Sequence, residues 1–265
     1  MRIVVKVGGS LRDESLHVLR MAVSWAEQAR HTLIIVHGGG PEITASLRRV
    51  GVSLPFENGI RQTTIEAMPI VEEALLRMNQ AICQAIETVA PAASVSADTG
   101  VIVAKSTSPL RTGEVDIINP LGIEEAICAQ LIPVIAPLGI DRDGNHYNIN
   151  ADTAAASVAV ACGADKLIFF TDVDGVYRDF DAGELVYDTN LAQLAHLQAT
   201  GALASGMMPK VESMRVAAEG GVDRVYVVNG RDEQSVHWSL SEDLPWQAER
   251  RHFGTRLLIG EETFQ

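Results

Sequence analysis

Ile3-Val4-Val5-Lys6-Val7-Gly8-Gly9 and Leu33-Ile34-Ile35-Val36-His37-Gly38-Gly39-Gly40 are the stretches on which the fold turns. Each is a short aliphatic, largely β-branched run that stops at glycines. Runs of that kind, apolar on both faces, read as strands buried on both sides. Between them Leu16, Leu19, Val23 and Ala26 recur near helical spacing, with Asp13 or Ser15 available as a cap. After the second run, Pro41 suits a first helical turn, Ile43, Leu47 and Val50 make one apolar face, and Gly51 stops it. Strand, glycine loop and helix, twice over, predict a parallel sheet with helical crossovers.

Further along, Asn58-Gly59 suggests a turn or hairpin, and 65–89 reads as one helix or two. Residues 95–105 and 114–118 are candidate strands, 120–130 is helical, and Leu131 to Leu138 is another buried strand. Asp143-Gly144, flanked by apolar residues, is a strong hairpin signal. The βα rhythm returns with a small-residue helix over 151–162, stopped by Gly163. A strand follows at 167–170, helices near 190–200 and 210–219, a strand at 225–228 and a closing strand at 254–258. There is no repeat, no low-complexity segment and no proline- or serine-rich linker. The expected fold is α/β: a three-layer αβα sandwich around a largely parallel open sheet, in a single domain over 1–265.

Composition narrows the function. The 265 residues carry 21 Lys and Arg against 34 Asp and Glu, a formal charge of −13. Nucleic-acid binding needs a basic face to displace phosphate counterions, and anionic lipid needs the same, so neither partner is expected. A small anionic substrate remains open, because a few lysines in one cleft outweigh the average locally. Three scattered cysteines, Cys83, Cys128 and Cys162, indicate neither a zinc site nor a disulfide framework. The first apolar run stops at Lys6, short of a secretory h-region, and no stretch is long enough to span a bilayer, so a cytoplasmic protein is expected.

In open α/β sheets, ligands sit beyond the carboxyl ends of the strands, where Gly8-Gly9 and Gly38-Gly39-Gly40 fall. Glycine lets backbone N–H groups approach phosphate oxygens, and two such loops suggest two anionic groups meeting. The P-loop, the dinucleotide fingerprint, H-E-x-x-H and G-x-S-x-G are all absent. Asp141-Arg142-Asp143-Gly144 has its glycine too early for a calcium loop and reads as a hairpin turn. Lys6 is the distinctive residue. A lysine in an apolar strand is costly unless its amine reaches the strand end, and Lys6 lies two residues before Gly8-Gly9. Lys210 and Asp152 stand at expected helix starts. Taken singly, Asp152 also suits an N-terminal cap and Lys210 a solvated surface.

Together these residues resemble the amino-acid kinase family, and within it the N-acetylglutamate kinases. The marks are Lys6-Val7-Gly8-Gly9, His37-Gly38-Gly39-Gly40, Gly59-Ile60-Arg61, Asn148-Ile149-Asn150-Ala151-Asp152, Thr171-Asp172-Val173 with Gly175-Val176, Ser205-Gly206-Met207 with Lys210, and Gly254-Thr255-Arg256. They run nearly end to end. The resemblance implies ATP-dependent phosphorylation of a γ-carboxylate, giving an acyl phosphate in arginine biosynthesis. It implies catalytic roles for Lys6, Lys210 and Asp152, with the lysines flanking the transferred phosphoryl group and Asp152 holding both ammonium groups. Gly8, Gly9 and Gly39 would offer N–H groups to phosphoryl and acyl oxygens. Gly39, Gly40, Arg61 and Asn148 would bind the acylated amino acid, Arg61 pairing with its α-carboxylate. Thr171, Asp172, Val173, Asp174, Gly175, Val176, Tyr177, Leu203, Ser205 and Gly206 resemble the segments around the nucleotide. Residues 1–150 would form the acyl-amino-acid and phosphoryl-binding lobe and 151–265 the nucleotide lobe. Mg2+ would be held through the ATP phosphates, with no metal site on protein side chains. His37 is expected to be structural, since a carboxylate nucleophile has no proton to remove at pH 7.

Two stretches depart from the family pattern. Ser96-Ala97-Asp98-Thr99-Gly100 replaces a glycine-rich segment, and 233–251, with Trp238 and Trp246, matches nothing. A kinase of carrier-bound 2-aminoadipate is disfavoured by the charge of −13, because an acidic carrier favours a basic surface. A free N-acetyl-2-aminoadipate kinase differs by one methylene. A non-catalytic nucleotide-binding regulator is disfavoured by the lysine pair. The family's arginine-inhibited hexamers carry a helix before the first strand. Here the strand begins at Ile3, so a homodimer insensitive to arginine is expected.

Overall fold

The computed structural model describes residues 1–8, 13–200, 203, 207–241 and 253–259, with the backbone alone described at 13, 14 and 200. Two crossover units open the chain: β1 (Arg2–Val7), α1 (Asp13–Gln28), β2 (Thr32–His37) and α2 (Gly40–Arg49). A hairpin of β3 (Phe56–Glu57) and β4 (Ile60–Arg61) turns at Asn58-Gly59, both with positive φ, 50° and 79°, as a tight two-residue turn requires. One long helix, α3 (Met68–Ile86), replaces the possible pair. The stretch 95–105 is not one strand. It divides into β5 (Ala92–Val95), a 3-10 turn (Ala97–Thr99) and β6 (Ile102–Ser106), because Gly100 ends the turn at φ 65° and redirects the chain.

Then come β7 (Thr112–Ile118), α4 (Leu121–Cys128), β8 (Ile132–Ile135), β9 (Leu138–Ile140) and β10 (His146–Ile149). The Asp143-Gly144 hairpin joins β9 to β10, and β6, β7, β9 and β10 close into a small barrel. Asp141 shapes that turn: its carboxylate accepts from the Asp143 and Asn145 amides, the Asn145 side chain and the Tyr147 hydroxyl. The remainder comprises α5 (Ala151–Ala161), β11 (Lys166–Thr171), β12 (Val176–Asp179), β13 (Glu184–Val186), β14 (Asp188–Thr189), α6 (Leu191–Thr200), α7 (Met208–Glu219), β15 (Arg224–Asn229), α8 (Glu233–Leu240) and β16 (Gly254–Leu258). The strands β12 and β13 lack strong apolar patterning and were not legible. Neither was α8, although Asp232 caps it by accepting from the Ser235 amide at 3.1 Å.

Eight of these strands form one sheet in the order β14-β16-β15-β11-β1-β2-β8-β5. From β15 to β5 all neighbours are parallel, and β16 runs antiparallel to β15. The sheet crosses both halves of the chain, with β1 and β11 paired at the seam. One face packs Val4, Val36 and Phe169 against α5 and α7. The other packs Ile3, Val5, Val7 and Ile35 against α1, α3 and α8. This is the three-layer αβα sandwich. Ala154, Ala155 and Ala159 of α5 are completely buried, and such small side chains let α5 lie close to the sheet and to α7.

Candidate active site

The alternation of β1 decides where Lys6 goes. Ile3, Val5 and Val7 face one layer; Val4 and Lys6 face the α5 and α7 layer, with Lys6 at its carboxyl end. Asp152 is the second residue of α5 and Lys210 the third of α7, so both helices aim their N-termini at the same place. There Lys6 Nζ lies 2.9 Å from Asp152 Oδ1, and Lys210 Nζ donates to both Asp152 oxygens at 3.1 Å. All three side chains are nearly buried, at 9, 9 and 7 % exposure for Lys6, Asp152 and Lys210. Asp152 does not cap α5. Asn150 does, its side chain accepting from the Asp152 and Thr153 amides.

Burial alone would raise the Asp152 pKa, but the ammonium groups of Lys210 and Lys6 overcome it and hold the carboxyl well below the usual range. Burial pushes the Lys210 pKa down, opposed chiefly by Asp152. Lys210 Nζ also stands 4.9 Å from the centre of the Phe169 ring, a favourable cation–π placement. Two cations on one anion leave a net positive charge at the mouth of two helix N-termini, which suits a polyanion.

Beside this triad is a cleft of about 240 Å³, bounded by Lys6, Gly39, Arg61, Asn148 and Asp152 with apolar walls from Phe56, Leu75 and Pro137. Arg61 is 6 % exposed. It donates to the Gly40 carbonyl and the Thr44 hydroxyl and stacks over Phe56 at 4.5 Å. Among the described residues no carboxylate pairs with it, and burial lowers its pKa. Asn148 donates to Thr63 Oγ1 at 3.0 Å, which orients its amide. Gly39 and Gly40 open α2, where a helix leaves N–H groups without acceptors of its own. A Cβ on Gly39 would stand 2.5 Å from Leu75 Cδ2.

Gly8 plays a different part from the one expected. Its N–H continues the ladder to Phe170 O at 3.1 Å, so it is not an available donor. A Cβ there would meet Phe170 O at 2.9 Å and Lys6 Nζ at 3.0 Å, so glycine gives the lysine its room. Gly9, Ser205 and Gly206 lie outside the described residues. The loop after β11 reaches the triad through Asp172, whose charge favours protonated Lys210. Thr171, Asp172, Val173 and Asp174 are all partly or fully exposed at the strand end. Asp174 accepts from Asn229 at 3.0 Å and from the Tyr177 hydroxyl at 3.3 Å. Val176 and Leu203, in contrast, place their side chains in the hydrophobic core. Thr255 turns out to be framework: its hydroxyl accepts from the Val176 amide and donates to Val186 O, and Gly175 leaves space for it. Arg256 likewise pairs with Asp188 at 2.9 Å.

His37 is completely buried and structural. Burial, abetted by nearby Lys6, lowers its pKa to about 4 against a raising contact with Gly38 O. Asn79 on α3 contacts it, a residue sequence reasoning missed. The signal was there: Asn79 is polar on a face otherwise made by Val71, Leu75, Met78, Ile82 and Ile86.

Residues 1–229 match the model of the amino acid kinase family. The chain belongs to the amino-acid kinase family. This amino-acid kinase is 39 % identical over 262 residues to an acetylglutamate kinase of Pelotomaculum thermopropionicum, covering 91 % of this chain and 88 % of that one. It is 36 % identical to an acetylglutamate kinase of Geobacillus kaustophilus, covering 86 % and 90 %. Among solved structures, smu.665 of Streptococcus mutans superposes with TM-score 0.78 at 28 % identity, covering 97 % and 98 %. An N-acetylglutamate synthase of Neisseria gonorrhoeae, complexed with coenzyme A and N-acetyl-glutamate, superposes at 0.80 with 22 % identity, covering 98 % of this amino-acid kinase and 59 % of that chain. The last is a likeness of fold.

Proposed function

We propose that this chain is an acetylglutamate kinase, transferring the γ-phosphoryl group of ATP to the γ-carboxylate of N-acetyl-L-glutamate to give N-acetylglutamyl 5-phosphate in arginine biosynthesis. The observation that carries the reading is the Lys6–Asp152–Lys210 triad beside a cleft that holds a buried guanidinium on which, among the described residues, no carboxylate lies. A carboxylate oxygen attacks the γ-phosphorus, the bond to the bridging oxygen breaks, and ADP leaves. No proton moves. The obstacle is anion approaching polyanion, and positioned cations are what lowers it. Lys6 and Lys210 flank the transferred group, and Asp152 keeps their mutual repulsion from driving them apart. Arg61 and Asn148 take the α-carboxylate end, and the Gly39 and Gly40 amides close around the acylated amino acid.

Residues 1–150 form the acyl-amino-acid and phosphoryl lobe; 151–265 form the nucleotide lobe, with Thr171–Tyr177 and the stretch around Leu203, Ser205 and Gly206 against the nucleotide. Asp152 is saturated by two ammonium groups, so Mg2+ is carried on the phosphates of ATP, where it supplies charge neutralisation. The enzyme works as a homodimer in the cytoplasm. Among the described residues no helix is long and apolar enough to cross a membrane. An ATP-consumption assay with N-acetyl-L-glutamate, N-acetyl-2-aminoadipate and glutamate tests the function, and light scattering tests the dimer. Turnover is expected with the first. Preference for the second would make the enzyme a lysine-pathway kinase, and ATP binding without turnover of any would make it a regulator.

A further inference from the structure

Three buried polar groups behind the glycine loop are linked in one chain, and their proton positions are forced. Asn79 Nδ2 lies 2.8 Å from Val134 O. Only an N–H can face a carbonyl oxygen, so the amide orientation is settled. Its Oδ1 then faces Cys83 Sγ at 3.7 Å, a weak donor. The second hydrogen of the same Nδ2 meets His37 Nε2 at 3.2 Å, so Nε2 must accept. A neutral imidazole that accepts at Nε2 carries its proton on Nδ1, and Nδ1 lies 2.7 Å from Gly38 O. Asn79, His37 and Val134 are completely buried, so no water substitutes for the links among them.

The consequence reaches the cleft through one peptide. A trans peptide points its carbonyl and its N–H to opposite sides. His37 draws Gly38 O towards the α1 and α3 layer, which turns the Gly39 N–H the other way, to the side of the sheet where Lys6 lies. Leu75 and Met78, on the same helix as Asn79, close against Gly39 and leave the loop little freedom.

We propose that Asn79 and His37 are positioning residues for phosphoryl transfer: α3 sets the His37 tautomer, and the tautomer aims the Gly39 amide at the reacting oxygens. This rests on the kinase reading above. Neither side chain touches substrate. The lowered pKa of His37 keeps the ring neutral, and so the arrangement unchanged, around neutral pH.

The test uses the full-length protein and three variants. Asparagine at 37 places its amide nitrogen where Nδ1 stands and can still donate to Gly38 O; glutamine and leucine cannot. In His37→Asn, kcat is expected within about threefold of the wild type. In His37→Gln and His37→Leu it is expected to fall about tenfold or more, with the KM for ATP within about twofold. Equal losses in all three, or none in His37→Leu, would overturn the proposal. Nitrogen-15 shifts of the His37 ring give a reading that does not depend on turnover. A protonated Nδ1 in the wild type, exchanging towards the other tautomer in Asn79→Ala, supports the relay; a protonated Nε2 in the wild type overturns it. If the wild type does not phosphorylate N-acetylglutamate, the kinase reading fails on that measurement alone, and the ring spectrum still decides whether His37 holds Gly38.

Discussion

Asp152 is a buried carboxylate with two partners, and each lysine depends on it. Removing either ammonium group is expected to leave the fold intact, because one lysine still pairs with Asp152. Lys6→Ala and Lys210→Ala are therefore expected to lower kcat about a hundredfold or more, in line with losing a transition-state donor, while melting temperature barely moves. Near-normal turnover in both would end the mechanism proposed for the pair. A second expectation concerns His37 and stability. In the fold it stays neutral down to about pH 4, whereas the unfolded chain protonates it near 6.5. Between those values only the unfolded state takes the proton, so stability falls as pH drops and returns as pH rises. Over that window the loss is about 3 kcal/mol. Urea unfolding at pH 7.5 and 4.5 reads it, and His37→Asn should remove most of the difference. Lys6 was legible as a residue, through a cation in an apolar strand, whereas Lys210 and Arg61 stood out only by their match to the family's marks. Asn79 was not singled out, because one polar residue in a helix declares no partner.

The elements that build the candidate site start at the triad or lead into it. Two glycine loops follow β1 and β2, and α5 and α7 begin at the triad. The loop after β11 is held by a less obvious device. Thr255 on β16 ties Val176 and Val186 together, and a Cβ on Gly175 would meet Thr255 Oγ1 at 2.6 Å and Thr255 N at 3.0 Å. Backbone cannot yield there as a side-chain tip can. Gly175→Ala is expected to cost roughly 1–3 kcal/mol of stability and to weaken ATP binding more than N-acetylglutamate binding, as calorimetric titration of each ligand would show. Equal weakening of both would detach this loop from the nucleotide. The Gly254-Thr255-Arg256 stretch, a mark of the family in the sequence, is thus a strut at this scale. Strand and helix types followed from periodicity over most of the chain. The failures have two causes: β12, β13 and α8 carry little apolar pattern, and the strand expected over 95–105 is broken by local turn geometry at Gly100.

At the scale of the molecule, one sheet passes through both halves, with β1 and β11 in register from Ile3 with Lys166 to Val7 with Phe170. The halves share that seam and the core beneath α5, so neither has a complete core of its own. A single cooperative transition is expected in scanning calorimetry, with calorimetric and van't Hoff enthalpies equal. A non-hydrolysable ATP analogue should raise the whole transition by mass action on the folded state. Two resolved transitions would show that 1–150 and 151–265 are independent domains. The charge of −13 takes its meaning here as well: an acidic protein places Lys6 and Arg61 on one cleft, with Lys210 joined to its edge through Asp152, so cations outnumber the one carboxylate there.

The amino-acid order by itself determined the layers, the mainly parallel sheet, the carboxyl-end location of the site and the residue types that fill it. The layers, the sheet and the site's end follow from apolar periodicity and glycine placement, which act over a few residues, and the residue types follow from the resemblance to the family's marks. Only the tertiary structure decided that Asn150 rather than Asp152 caps α5, that the Gly8 amide is already bonded, and that Asn79 reaches His37 across the layers. Each of those depends on which distant backbone or side-chain group lies within hydrogen-bond reach, and that is set by packing, not by spacing along the chain.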